Sequence, residues 1–369
     1  MSVKLENDFA ELLKQKLEEA LSKRGKVNIV VAGKTGVGKS TLVNAVFQGN
    51  FAETGDGRPV TKTTREIKKD GIPLSIFDTR GLEVSEYRNT VKELEKLMQD
   101  KSKSEDPNQH IHIAWVCVME DSRRVEDAEI KLVEMLDKYI PVVGVITKSV
   151  SDNGFRQTVQ ELLPQTRNVV RVLAKETVFD GGYTMSVMGL DNLVELTMTL
   201  VPETQRDALS AAQKVSIKHK LQRAHAVVGG AALTAGGAGA APLPFSDALA
   251  IIPVQISMLA SISAVWGLPV STTFLGTLVS GAITGSAGTI AGRAAAGALL
   301  KLIPGIGSVA GGAISAGVAS TLTIAFGEAY ITALHVLTKD DPNQIPTAEE
   351  IRDEFMRQLK SSKKELAAG

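Results

Sequence analysis

A single cysteine, Cys117, occurs in the chain, within an apolar strand-like run. One thiol can build neither a disulfide framework nor a thiolate metal site, so a reducing, cytoplasmic compartment is the natural setting. Aromatic residues make up only 4% of the sequence, too few for the stacking platforms that hold single-stranded nucleic acid. Neither sign of charge is in excess: 41 Lys and Arg face 41 Asp and Glu, which speaks against a protein that coats nucleic acid. The five histidines have no metal-ligand spacing, and His110 and His112 read as structural. The charged N-terminal stretch lacks the apolar core of a secretory signal. Leu5, Phe9, Leu12, Leu13, Leu17 and Leu21 instead mark one face of an amphipathic helix over residues 1–24.

What is present changes near residue 205. Residues 25–205 alternate short apolar runs with amphipathic segments. Strands are expected at 27–32, 64–69, 74–77, 111–119, 142–147 and 169–173, and helices at 40–48, 84–101, 125–139, 154–163 and 190–200. Alternation of this kind predicts an α/β domain with a mainly parallel sheet and helices on both faces. The exception is 64–69, which can pair antiparallel with 74–77 through Lys69-Asp70-Gly71. Residues 206–340 are rich in Gly and Ala and read as an all-α apolar domain. Residues 341–369 return to polar sequence, with Thr347-Ala348-Glu349-Glu350 resembling a capping box before a short helix.

The strongest motif is Gly33-Lys34-Thr35-Gly36-Val37-Gly38-Lys39-Ser40, which follows the apolar run Val27–Ala32 and precedes a helix-compatible segment from Thr41. Strand, glycine-rich turn and helix form the context a phosphate-binding loop requires. The glycines let backbone N–H groups close on phosphate oxygens, and the helix N-terminus adds its dipole. Lys39 is expected on the β- and γ-phosphates and Ser40 on Mg²⁺. The substrate class is therefore a nucleoside triphosphate.

Asp78-Thr79-Arg80-Gly81 ends the next expected strand but one, placing Asp78 as a water-mediated Mg²⁺ ligand and the Gly81 N–H at the γ-phosphate. Between the two motifs lies Pro59-Val60-Thr61-Lys62-Thr63-Thr64-Arg65, from which Thr61 or Thr64 supplies a hydroxyl to the cation; residue types alone do not separate them. Thr147-Lys148 ends a buried strand where a guanine-binding Asn/Thr-Lys-x-Asp element belongs. Val150 stands at the Asp position; Asp152 either replaces it or caps the helix that follows. Leu173-Ala174-Lys175 looks like a Ser-Ala-Lys element, with an N–H of Ala174 or Lys175 on the base.

Taken together, residues 33–46, Asp78–Gly81 and Thr147-Lys148, in this order and spacing, resemble the Era-type branch of translation-factor-class GTPases. Ile111-His112-Ile113-Ala114-Trp115 with Arg123, Arg124 and Glu126 resembles the subgroup that carries a C-terminal apolar Gly/Ala-rich helical domain. The resemblance implies Mg²⁺-dependent binding of GTP and GDP and slow hydrolysis, with Lys39, Thr64 and Gly81 acting at the γ-phosphate. Leu82 occupies the place of the water-orienting Gln of small signalling GTPases. Charge stabilisation would then come from a partner, a second protomer, a potassium ion, or one of Arg58, Arg80, Arg123 and Arg124. An ATPase using the same loop, and an RNA- or ribosome-assembly factor, are the competing readings; the neutral charge and the apolar tail count against the second.

The tail itself allows two readings. From Ala248 to Gly292 there is no charge, and between Arg223 and Thr338 only Asp247, Arg293, Lys301 and Glu328 carry one. That length accommodates two membrane spans, and Gly281/Gly285, Gly288/Gly292 and Gly307/Gly311 suit close helix packing. Lipid association through 224–338, peripheral or integral, is one reading, helped by the basic cluster Lys214, Lys218, His219, Lys220 and Arg223. A buried soluble bundle, serving self-association as a homodimer, is the other. Pro253 and Pro269 are expected to break the helices.

Overall fold

The computed structural model describes residues 2–48, 58–59, 64–79, 87–238, 247–284, 316–341 and 345–368. The chain divides into two compact units: Gly25–Ser216, and Met1–Arg24 with Ile217–Gly369.

The first unit is built on a sheet. Its strands are β1 (Val27–Ala32), β2 (Arg58–Pro59), β3 (Thr64–Lys68), β4 (Leu74–Thr79), β5 (Ile113–Met119), β6 (Val142–Thr147) and β7 (Asn168–Arg171). They lie in the order β2-β3-β4-β1-β5-β6-β7. The β4-β1-β5-β6-β7 pairs are parallel and the β2-β3 and β3-β4 pairs antiparallel, the latter through the expected turn at Lys69–Gly71. Central strands β1 and β6 are buried at every residue, which explains their unbroken apolar sequence.

Helices α2 (Lys39–Val46), α3 (Tyr87–Ser102), α4 (Asp127–Leu136), α5 (Phe155–Leu162) and α6 (Leu190–Leu200) accompany the sheet. Two cores result. One joins Val27, Ile29 and Val31 of β1 to Leu42 and Val46 of α2 and Leu193 of α6. The other joins Val30 and Ala32 to Leu94 and Met98 of α3 and Leu132 of α4. Alternate β1 residues thus serve opposite faces, the period-two rule of a strand.

The short strand β2, a hairpin and a helix here lack a sequence forecast. A hairpin of β8 (Thr177–Val178) and β9 (Thr184–Met185) stands between β7 and α6. Helix α7 (Glu203–Ala212) carries the unit on to Ser216, because Ala208, Leu209 and Ala212 are buried in the first core.

The second unit is helical: α1 (Ser2–Arg24), α8 (Ile217–Ala238), α9 (Asp247–Trp266), α10 (Thr272–Thr284), α11 (Ala316–Thr338) and α12 (Ala348–Ala368). Leu13 and Ala20 of α1 are buried with Ile256, Leu259, Ile262 and Trp266 of α9 and Phe326 and Tyr330 of α11. Phe355 of α12 sits edge-on to both Phe326 (4.9 Å) and Tyr330 (5.2 Å). The Thr347–Glu350 capping box forms: the Thr347 amide donates to Glu350 Oε2 (2.8 Å) and the Glu350 amide to Thr347 Oγ1 (3.2 Å).

Two expectations are corrected in this unit. Pro253 lies inside α9 and does not end it. Burial of Ile256, Met258, Leu259 and Ile262 just beyond holds the helix together against a penalty of about 3 kcal/mol for an interior proline. Pro269 does separate α9 from α10. Lys220, counted in the basic cluster, is buried, and its Nζ donates to the Trp266 carbonyl at 2.7 Å. It therefore offers no charge to a headgroup. Of the paired small residues, Gly285, Gly288, Gly292, Gly307 and Gly311 lie outside the described residues, as do Arg293 and Lys301. Among the described residues one stretch, Ala319–Thr338, is long and apolar enough to cross a membrane by length and composition, and 53% of its most apolar window is buried.

Candidate nucleotide site

The loop between β1 and α2 is shaped by glycines in backbone regions closed to other residues. Gly36 and Gly38 have φ of 76° and 101°. Gly33, at 149°, lies so close to β5 that a Cβ there would stand 2.7 Å from the Cys117 carbonyl oxygen. Only a residue without a side chain lets the loop turn off the strand at this point. The Cys117 thiol behind it is buried, which pushes its pKa up to about 12 and leaves it inert.

The Lys39 ammonium lies within the loop, donating to the carbonyls of Gly33 (2.8 Å) and Lys34 (3.2 Å). Thr147 Oγ1, at the end of β6, donates to the Val37 carbonyl at 2.6 Å, joining the loop to the second strand over from β1. Thr35, Gly36, Gly38, Lys39, Ser40 and Thr41 line a cleft of about 580 Å³ together with Asp78, Thr79 and Lys148. A helix N-terminus, an ammonium and a glycine-rich backbone suit this cleft to an anion. Ser40 and Asp78 meet in the same cleft, and their oxygen donors fit a hard divalent cation. Among the described residues no cluster of three or more His, Cys, Asp or Glu side chains could hold a metal. A cation between Ser40 and Asp78 would therefore draw its remaining oxygens from phosphate and water.

A second cavity of about 420 Å³ adjoins the first, sharing Gly38, Thr41 and Lys148. Val150, Leu173, Ala174 and Phe179 make most of its lining apolar, and Asp121, Lys148 and Lys175 add charge. An apolar slot beside an anion cradle fits a planar base attached to a polyphosphate.

Other expected residues are placed elsewhere. Lys34 forms an ion pair with Glu126, the residue preceding α4, so its charge faces that helix. Thr64 opens β3, buried, opposite Thr79. Asp152 accepts from the Arg156 amide in the first turn of α5 (2.8 Å) and does not line the second cavity. This is the capping role that the sequence left open for it. Thr61, Arg80, Gly81 and Leu82 lie outside the described residues. Arg123, weighed as a source of catalytic charge, is committed to the carbonyls of Asp152 (2.6 Å) and Asn153 (2.9 Å).

Glu120 is the residue that sequence reasoning missed. Buried at the end of β5, it accepts from the amides of Val150 (2.5 Å) and Ser151 (2.7 Å) and from Arg171 Nε (3.0 Å). Burial raises its pKa, but the two amides and the guanidinium outweigh it and hold the carboxyl below its ordinary range. The loop after β6 is thus pinned by β5 and β7. A carboxylate placed directly after the apolar run 111–119 was the signal available in sequence.

Comparison with known proteins agrees with this geometry. Residues 28–148 match a family described as 50S ribosome-binding GTPase, and residues 204–361 match a domain of unknown function. The tRNA modification GTPase MnmE of Alkaliphilus oremlandii (strain OhILAs) is 25% identical over 233 residues, which is 60% of this chain and 45% of its own. The MnmE of Cupriavidus metallidurans (strain ATCC 43123 / DSM 2839 / NBRC 102507 / CH34) is 39% identical over 84 residues, 21% of this chain and 17% of its own. The chain thus spans less than half the length of these two curated relatives. A solved structure of a probable GTP-binding protein engB covers 49% of this chain and 100% of its own at 16% identity, with a TM-score of 0.33. The sheet order, the loop from Gly33 to Ser40 and the family match together make the first unit a GTPase domain of the P-loop class, followed by a helical region.

Proposed function

We propose that the chain is a Mg²⁺-dependent switch that binds GTP and hydrolyses it to GDP and phosphate. The observation that carries this reading is the pair of adjoining cavities, one an amide-and-ammonium cradle and the other an apolar slot, joined at Gly38, Thr41 and Lys148. Lys39 balances the charge of the β- and γ-phosphates, and Ser40 and Asp78 hold the cation. Thr61 or Thr64, with the Gly81 N–H, attends the γ-phosphate, so residues 52–66 and 79–100 change with nucleotide state. Leu82 cannot orient water, so hydrolysis is slow until a partner, a second copy or a potassium ion supplies the missing charge. The motifs at 33–46, 78–81 and 147–148 support assigning the domain to the Era-type branch.

The helical unit is the output of the switch, and we assign it to a membrane surface. The charge-free run Ala248–Gly292 and the Ala319–Thr338 stretch support this, as does Leu233, which is 79% exposed. Flotation of the full chain with liposomes, with GTP analogue and with GDP, tests the assignment. Recovery in the lipid fraction with one nucleotide is expected; protein that stays below the lipid in every state removes the membrane role. Displacement of a fluorescent GTP analogue by GTP and by ATP tests the nucleotide. Preference for ATP would remove the GTPase function.

A further inference from the structure

The base cavity lacks an Asp where a guanine reader normally has one. Val150 stands there, 38% exposed, and Asp152 is turned to the first turn of α5. A guanine edge presents two donors, the N1–H and the 2-amino group. Buried without an acceptor, they cost binding energy, and an adenine would be admitted as readily.

Asp121 is the carboxylate among the residues lining this cavity. It is exposed, and its carboxylate has no hydrogen bond or ion pair among the described residues. Sheet register explains its position. β5 and β6 run parallel with Met119 opposite Thr147, so Asp121 and the segment Lys148–Val150 leave the sheet at the same edge. Lys148 reaches back across that edge, its Nζ 3.4 Å from Met119 Sδ. The two segments are then laced together. Glu120, next to Asp121, takes the amides of Val150 and Ser151, and Arg123 takes the carbonyls of residues 152 and 153. Arg123 itself has φ of 48°, a strained backbone that these bonds maintain. A carboxylate carried on this turn lines the same cavity as Lys148, on a backbone tied to the loop after β6.

We propose that Asp121 is the residue that selects guanine, its carboxylate accepting the N1–H and 2-amino protons in place of an acceptor at position 150. The assignment rests on the GTP reading of the site and names its specificity determinant. Phe179, from the turn between β8 and β9, adds an aromatic wall to the same slot.

Nucleotide chemistry tests it on the full chain. Inosine triphosphate lacks the 2-amino group, and xanthosine triphosphate carries a carbonyl in its place. Displacement of a fluorescent GTP analogue should show wild-type protein binding GTP at least about tenfold more tightly than either. Asp121→Asn should weaken GTP by about tenfold or more and strengthen xanthosine triphosphate, because the amide N–H₂ donates to the new carbonyl while its oxygen still accepts N1–H. A misfolded variant could not show that gain. Asp152→Asn should leave the order of affinities unchanged. The assignment is overturned if Asp121→Asn keeps GTP affinity within about twofold, or if Asp152→Asn takes the loss. Wild-type protein that prefers ATP overturns the GTP reading and this assignment together.

Discussion

The two units bury similar apolar residues and differ in what burial leaves available. In the sheet unit, strands β1, β4, β5 and β6 are largely buried, but polar residues gather at or just beyond their C-terminal ends: Lys39 and Ser40, Asp78, Glu120 and Asp121, Thr147 and Lys148. In the helical unit several polar side chains are absorbed into the core. Ser263 Oγ and the Tyr330 hydroxyl bond each other at 2.6 Å, and Thr338 Oγ1 takes the Trp266 indole N–H. Even the glycines differ. Gly33 is small so that a loop can turn under a ligand, whereas Gly327 is small so that α11 can approach α8, where a Cβ would stand 2.5 Å from Val228 Cγ2. The lesson is that chemistry collects where regular structure ends in register, not where apolar content is highest.

Substituting Lys39 should separate the units most sharply. Lys39→Ala should lower nucleotide affinity by about a thousandfold, roughly 4 kcal/mol, and leave hydrogen exchange in α8–α12 unchanged. An unaltered affinity would end the nucleotide reading.

Acid should reach the two units in different pH windows. His112 accepts from the Asn28 amide, and burial pushes its pKa down to about 4 from an ordinary 6.5. Its stabilising contribution is whole above pH 6.5 and drains away as pH falls toward 4, by about 3 kcal/mol in all. Buried Lys220 is pushed down to about 7 from 10.5, so the helical unit should weaken earlier, as pH falls from 10.5 toward 7. Hydrogen exchange followed peptide by peptide should show protection lost first in the helical peptides. Loss in the reverse order would contradict this ranking, and Lys220→Met should abolish the alkaline phase.

Gly327→Val should cost the helical unit about 2 kcal/mol by overpacking against Val228 while GTP-analogue binding stays within twofold. Glu120→Gln should act in the opposite sense, lowering nucleotide affinity about tenfold by loosening the Val150–Ser151 amides, with little change in the melting of either unit. If Glu120→Gln binds GTP normally, the pinning of the 148–151 loop is irrelevant to the base.

Much of the sheet unit was legible because its signals are local. β1 spans Val27–Ala32 and α6 spans Leu190–Leu200, as expected, and the β3–β4 hairpin turns at Lys69–Gly71. The β8–β9 hairpin was not legible, since two-residue strands leave no periodicity to read. Nor was the fate of Asp152 and Lys34, whose sequence neighbourhoods suit a ligand as well as a cap or an ion pair. Residues 206–340 gave an apolar signal without a face, so neither the burial of Lys220 nor the continuation of α9 through Pro253 could be read from it.

Sequence by itself determined the phosphate cradle, because glycine spacing, a lysine and a flanking strand act within about a dozen neighbouring residues. It also determined that a helical apolar region follows. Tertiary structure alone decided that Glu120 pins the loop at Val150 and that Asp121 lines the same cavity as Lys148 and Val150. Those contacts join β5 to residues some thirty positions away, and only strand register brings such groups within hydrogen-bonding reach.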